Sequence, residues 1–141
     1  PIVLTNTDGS YVSAIHAGWR GLLNGIIENT LHTHLMPKDN ILVWLAPAIS
    51  QKAFEVGQEV KDAFLASNPD YAQHFIDSQR PQHFFADLYG IAKNKLTSLG
   101  IPLNNISGGD YCTYSDEQYF YSHRRDGKNS GRQATLIWID K

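Results

Sequence analysis

Cysteine is almost missing from this sequence: Cys112 stands alone among 141 residues. One thiol cannot close an internal disulfide, which excludes the stapled secreted scaffolds and points to a reducing, cytoplasmic setting. Charge is also sparse. Asp, Glu, Lys and Arg make up 18% of the chain, and the formal balance is −2. That excludes broad binding to a nucleic-acid backbone, which needs clustered Lys and Arg. No apolar run approaches the ~20 residues that cross a bilayer as a helix, and nothing at the start reads as a secretion signal. A polar lead-in is absent too: the sequence opens PIVLTNTDGSYVSAI, with an apolar strand from the first residue. So abrupt a strand is expected to belong to the later part of a longer polypeptide. What is present is 42% hydrophobic, enough for the core of one domain spanning 1–141.

Periodicity then sets out the elements. Residues 1–5 read as a strand, Asp8-Gly9 as a hairpin turn, and Tyr11–Ile15 as the partner strand. Trp19, Leu22, Leu23, Ile26, Ile27, Leu31 and Leu35 keep helical spacing until Pro37. Residues 41–46, ILVWLA, form a continuous apolar run and predict a strand buried on both faces. PAISQKAFEVG reads as a loop and Glu59–Ala66 as a short helix; residues 70–85 read as an irregular excursion. Asp87–Ser98 is a second long helix with Gly100 just past its end. Residues 118–122 and 132–140 are strand-like, the last predicted to lie centrally. Strands and helices mix without strict alternation. The expected class is α+β, a mixed β-sheet core with packed helices in α-β-α-type layers.

The stretch AIHAGWRG, residues 14–21, carries the chemistry. His16 ends a strand, Ala17-Gly18 turn, and a helix starts at once. Such strand–turn–helix edges are where open α/β sheets place ligands. The free N–H groups of a helix start favour an anion, and Arg20 in the first turn adds a fork of donors. Gly18, Gly21 and Gly25 are spaced three and four apart, on one side of a helix. Each interior glycine costs about 1 kcal/mol against alanine, so close approach of a neighbouring backbone or of a ligand should offset it. For Gly18 the functional turn is the reading; for Gly21 and Gly25, tight helix-on-sheet packing. A lone histidine is equally read as a satisfied core residue or as a ligand.

Three blocks carry a family likeness: HAGWRG, then LAPAISQKAFEVG, then GGDYCTYSDEQYFYSHRRDGKNSGRQATLIWI. In this order they closely resemble the YfiH-like family, whose members often bear the names polyphenol oxidase or laccase-domain protein. The resemblance covers nearly the whole chain. It implies zinc-dependent purine nucleoside phosphorylase chemistry on adenosine, inosine and related nucleosides with phosphate, together with adenosine deamination. An alternative it implies is editing of bacterial peptidoglycan precursors. It also implies that His16 is one of three zinc ligands, the other two being a histidine and a cysteine expected upstream of Pro1. On that reading these 141 residues are inactive alone. Gly18, Arg20, Arg124 and Arg125 are the expected substrate-binding residues. The family more often has Gly where Ala46 and Ser50 stand, and His123 occupies a place where tyrosine is familiar.

Other candidates weigh less. Arg124, Arg125 and Arg132 read either as anion contacts or as a salt-bridged hairpin. Cys112 could be a nucleophile paired with His16, but a structural thiol is the plainer reading. His32 and His34 are two apart, so they do not share a helix face. His74 and His83 fall in loop-rich sequence and read as surface residues. Glu55 reads as helix-start charge. A multicopper oxidase needs a blue-copper site and a copper cluster built from many imidazoles. Six scattered histidines do not build that, so zinc is the better metal on ligand count.

Overall fold

The computed structural model describes residues 1–33 and 36–140, and its first element grows from the Asp8-Gly9 turn. Gly9 sits at φ 70°. The Asp8 carboxylate accepts from the Ser10 N–H at 2.9 Å, and the Asn6 side chain accepts from the Tyr11 N–H at 2.9 Å. These bonds fold β1 (Ile2–Asn6) against β2 (Val12–Ile15) in the register Ile2↔Ile15. There follow α1 (Trp19–Leu23), α2 (Ile26–His32), β3 (Ile41–Leu45), β4 (Glu55–Gly57), α3 (Gln58–Ser67), β5 (Phe75–Asp77), β6 (His83–Ala86), α4 (Leu88–Ser98), β7 (Ile106–Gly108) and α5 (His123–Asp126). One sheet has the order β2-β1-β3-β7, antiparallel except for β3-β7; a second, antiparallel throughout, has the order β4-β6-β5. The mixed sheet with packed helices is thus the architecture expected from the sequence.

The core gathers on one face of the larger sheet. Ile2, Leu4, Ile41, Val43 and Leu45 join Leu22, Ile27 and Leu31 of the first two helices and Ile91 and Leu96 of α4 in one buried cluster. Residues directly opposite across a ladder share a face. Val3, Ala14 and Trp44 are therefore aligned on the other face, as are Thr5, Val12 and Leu42. Leu42 and Trp44 are about 40% exposed, so β3 alternates and is not buried on both faces as its apolar run suggests. Its composition fits two covered faces, but among the described residues only one face is packed.

Three further expectations change. The single helix predicted through Trp19–Leu35 is two helices, because Gly25 takes φ 80° and breaks the first from the second. Periodicity hides the break, since Leu22 and Ile27 on either side are both buried; Leu35 itself lies outside the described residues. The excursion at 70–85 contains a 3₁₀ segment at Pro69–His74 and the β5–β6 hairpin. Those strands are too short to show alternation. Residues 118–122 and 132–140 form no strand, and Leu136 and Trp138 are about three-quarters exposed. Apolar β-branched sequence makes a strand only where a neighbour takes its backbone bonds, and among the described residues none pairs with this segment.

One buried charge joins α2 to α4. Lys95 Nζ donates to Glu28 Oε1 at 2.5 Å while the lysine side chain is 9% exposed, and the other glutamate oxygen has no partner. Removing the carboxylate strands a buried ammonium. We expect Glu28→Ala to lower unfolding free energy by about 3 kcal/mol in urea titration, and the double change Glu28→Ala/Lys95→Met to recover most of it. A pH effect arises at His74. Burial lowers its pKa below 6.5, with the nearby Asp87 charge opposing in part. Folding therefore favours the neutral ring, so its contribution is present above pH 6.5 and fades as pH falls through the lowered value. His74→Gln should flatten part of the stability loss on the acid side of pH 6.5, read from urea midpoints.

Candidate active site

His16 follows the last residue of β2, at the sheet end where the chain turns into α1. Its imidazole is exposed, not sealed in the core. Two glycines fit around it. A Cβ on Gly18 would lie 3.0 Å from His16 Nε2, and a Cβ on Gly21 would lie 3.0 Å from the His16 carbonyl oxygen. Gly18 thus leaves room for the ring and Gly21 for the backbone beneath it. For Gly21, inside α1, this is the close approach that an interior glycine requires; Gly18 stands just before the helix. Gly25 plays no part on that face; its left-handed backbone ends α1. At five residues α1 is too short to supply the summed dipole expected of a long helix.

The ring opens on a cavity of about 630 Å³, lined by His16, Ala17, Gly18 and Trp19, by Pro47–Ile49, Phe54 and Leu88, by Thr113 and by residues 121–124 and 130–133. That volume is in the range that holds a drug-sized or nucleoside-sized ligand. Its floor is positioned by α4. Tyr89 Oη accepts from the Ala48 N–H at 2.6 Å and donates to the Tyr111 carbonyl at 3.0 Å; burial pushes the phenol up to about 12. Arg124 lies along the wall. It donates to the Glu55 carbonyl at 2.8 Å and its guanidinium carbon stands 5.2 Å from the Phe54 ring centre. Arg132 also lines the cavity, folded back on the carbonyls of Ser130 and Gly131. No Asp or Glu is among the described lining residues. Two arginines and two histidines above an apolar floor make a site for an anion beside a flat apolar group.

Not every expected residue is here. Arg20 is exposed and stacks over the Trp19 ring at 4.4 Å, outside the cavity lining. Arg125 faces away, and its donors are taken: Nε and Nη2 by the Asp126 carboxylate at 2.8 and 2.9 Å, Nη1 by the Thr113 and Tyr114 carbonyls, and Nη2 also by Phe120 O. It ties the loop that carries His123 and Arg124, and borders a separate hollow of about 490 Å³ beside Tyr119 and Tyr121. Cys112 is buried and outside the cavity lining. Burial pushes its thiol up, but hydrogen bonds from Ser115 and Ser50 together outweigh this and bring it down to about 7. Glu55 is engaged by Arg80 at 2.9 Å. His83 Nδ1 donates to the Pro81 carbonyl at 2.8 Å, His32 ends α2 on the surface, and His34 lies outside the described residues.

Sequence reasoning missed Phe54, the Tyr89 strut and the placement of His123 in the same cavity as His16. No local pattern announces them, because each depends on a contact across tens of residues.

The model of the family described as multi-copper polyphenol oxidoreductase laccase matches residues 1–140. The chain belongs to this laccase family. Within it, purine nucleoside phosphorylase YfiH of Escherichia coli (strain K12) is 43% identical over 139 residues, which is 99% of this chain and 55% of that protein. A Pseudomonas aeruginosa protein also named purine nucleoside phosphorylase is 43% identical, covering 99% and 56%. A Neisseria meningitidis protein superposes with a TM-score of 0.83 at 40% identity, over 89% of this chain and 51% of that one. YlmD from Geobacillus stearothermophilus gives 0.80 at 27%, over 89% and 48%. The chain therefore spans about half the length of these laccase-family relatives.

The fit at Gly18 is open to test. Its φ of −67° and ψ of 169° are available to alanine, so Gly18→Ala should leave the backbone intact and press only on the His16 ring. We expect displaced His16 ring resonances in NMR spectra, with unfolding free energy changed by less than about 1 kcal/mol.

Proposed function

We propose that this chain provides one wall of a zinc-dependent purine nucleoside phosphorylase site, with adenosine deamination as an associated activity. The observation that carries the reading is the His16 cavity: an imidazole seated over glycine beside Arg124 and Arg132, with no acidic residue in the described lining. The names of the relatives point the same way. A purine is flat and weakly polar and suits the Phe54 floor; phosphate suits paired guanidinium forks.

Zinc is a separate question of fit. Among the described residues no three His, Cys, Asp or Glu side chains stand together to hold a metal ion. This donor set does not complete a zinc cage. His16 suits one ligand position, and on our reading the remaining donors belong to the length of the relatives that this chain does not span. No step is therefore derived through the metal. The chain's own residues do the binding work. Arg124 and Arg132 neutralise and orient phosphate for attack of one oxygen on the sugar carbon C1′, as the C1′–N9 bond breaks and its electron pair leaves with the purine. Phe54 and the Pro47–Ile49 floor exclude water from that carbon, which suppresses hydrolysis in favour of phosphorolysis.

The test is incubation of the protein, as the cell makes it, with inosine and phosphate. Hypoxanthine and ribose 1-phosphate are expected, and His16→Ala should lower the rate by more than ~100-fold together with bound zinc. No free base from a sample holding one zinc per chain would overturn the reading.

A further inference from the structure

We propose that His123 is a substrate-contacting residue of this cavity, whose Nε2 accepts a hydrogen bond from a ribose hydroxyl or a base N–H of the nucleoside. The inference rests on the functional reading above and deepens it. His123 Nδ1 stands 2.9 Å from the Gly127 carbonyl oxygen. A carbonyl only accepts, so Nδ1 carries the hydrogen and the neutral ring keeps its lone pair on Nε2. Among the described residues Nε2 has no protein partner, and the residue lines the cavity that holds His16. In the neutral ring the Gly127 bond sets the polarity of this edge.

An acceptor of fixed direction is useful there. Arg124 and Arg132 can only donate, which suits phosphate, while a nucleoside's own hydroxyl and N–H groups need acceptors such as His123 in the same lining. An unanswered donor costs affinity once water is excluded. The ring is also held still. Ser122, 5% exposed, caps α5 by accepting from the Arg125 N–H at 3.4 Å. Arg125 then fastens the same turn to the carbonyls of Thr113, Tyr114 and Phe120. A rigid acceptor binds without a fresh ordering cost.

Two isosteres separate contact from scaffold. Asparagine reproduces the Nδ1 position and can keep the Gly127 bond; glutamine reproduces the Nε2 position and can keep the substrate bond. For the wild-type protein with inosine and saturating phosphate, we expect His123→Asn to raise KM about tenfold with kcat within about twofold. His123→Gln should keep KM within about threefold. The reverse order, Asn harmless and Gln damaging, would overturn the proposal and leave His123 as a loop anchor. Unchanged KM in both variants would overturn it as well. If the wild-type protein binds inosine in a Trp fluorescence titration but releases no base, the phosphorylase reading fails alone. The same Asn-against-Gln comparison of dissociation constants then decides the contact. Wild-type protein that binds no nucleoside overturns both.

Discussion

The close fit between His16 and the two glycines that follow it is the constraint on which the site depends. The carbonyl oxygen of His16 presses toward Gly21 and the imidazole toward Gly18, each within 3.0 Å of where a Cβ would stand. The fit fixes the direction in which the chain leaves β2 and enters α1. That direction places Trp19 in the cavity lining and sends Leu22 into the core. A side chain at Gly21 would push against backbone, which cannot rotate aside as a ring can. The sheet edge, the turn and the imidazole are therefore one object, and its glycines give up helix stability for reach.

The rest of the site is brought to that edge by long-range contacts. Tyr89, on α4, holds the Ala48 loop through a phenol that both accepts and donates. Arg124 leans on Phe54 and binds the Glu55 carbonyl across 69 residues of sequence. These links explain a cavity with an apolar floor and a cationic rim in a chain whose overall charge is slightly negative. Local charge is decided by which few side chains converge, not by the total.

Sequence patterns told most where residues interact with near neighbours. The hairpin at Asp8-Gly9 and the α4 helix, with Asp87 capping through the Gly90 N–H and Gly100 just past the end, rest on local chemistry and were legible. The strand–turn–helix path of HAGWRG was legible too, because Ala17-Gly18 between an alternating strand and a helical period leave the chain little room but to turn there. Periodicity failed at Gly25, where core positions continue on both sides of a break. It failed again at 132–140, where strand-like composition has no neighbour to pair with among the described residues. His123 was invisible as a cavity residue because its turn is placed from outside: Arg124 reaches the Glu55 carbonyl and Arg125 the carbonyls of Thr113 and Tyr114. The two adjacent arginines looked alike in sequence and are opposite in the fold.

That inequivalence reaches beyond the loop. Half of the adjacent basic pair is cancelled at source, since the Arg125 guanidinium is closed onto the Asp126 carboxylate. On the proposed function, an anion entering the cavity meets Arg124 and Arg132 in its lining but not Arg125. Its capture rate should then respond to ionic strength as a weakly steered encounter does, and discrimination should come from short-range geometry once counterions have been shed.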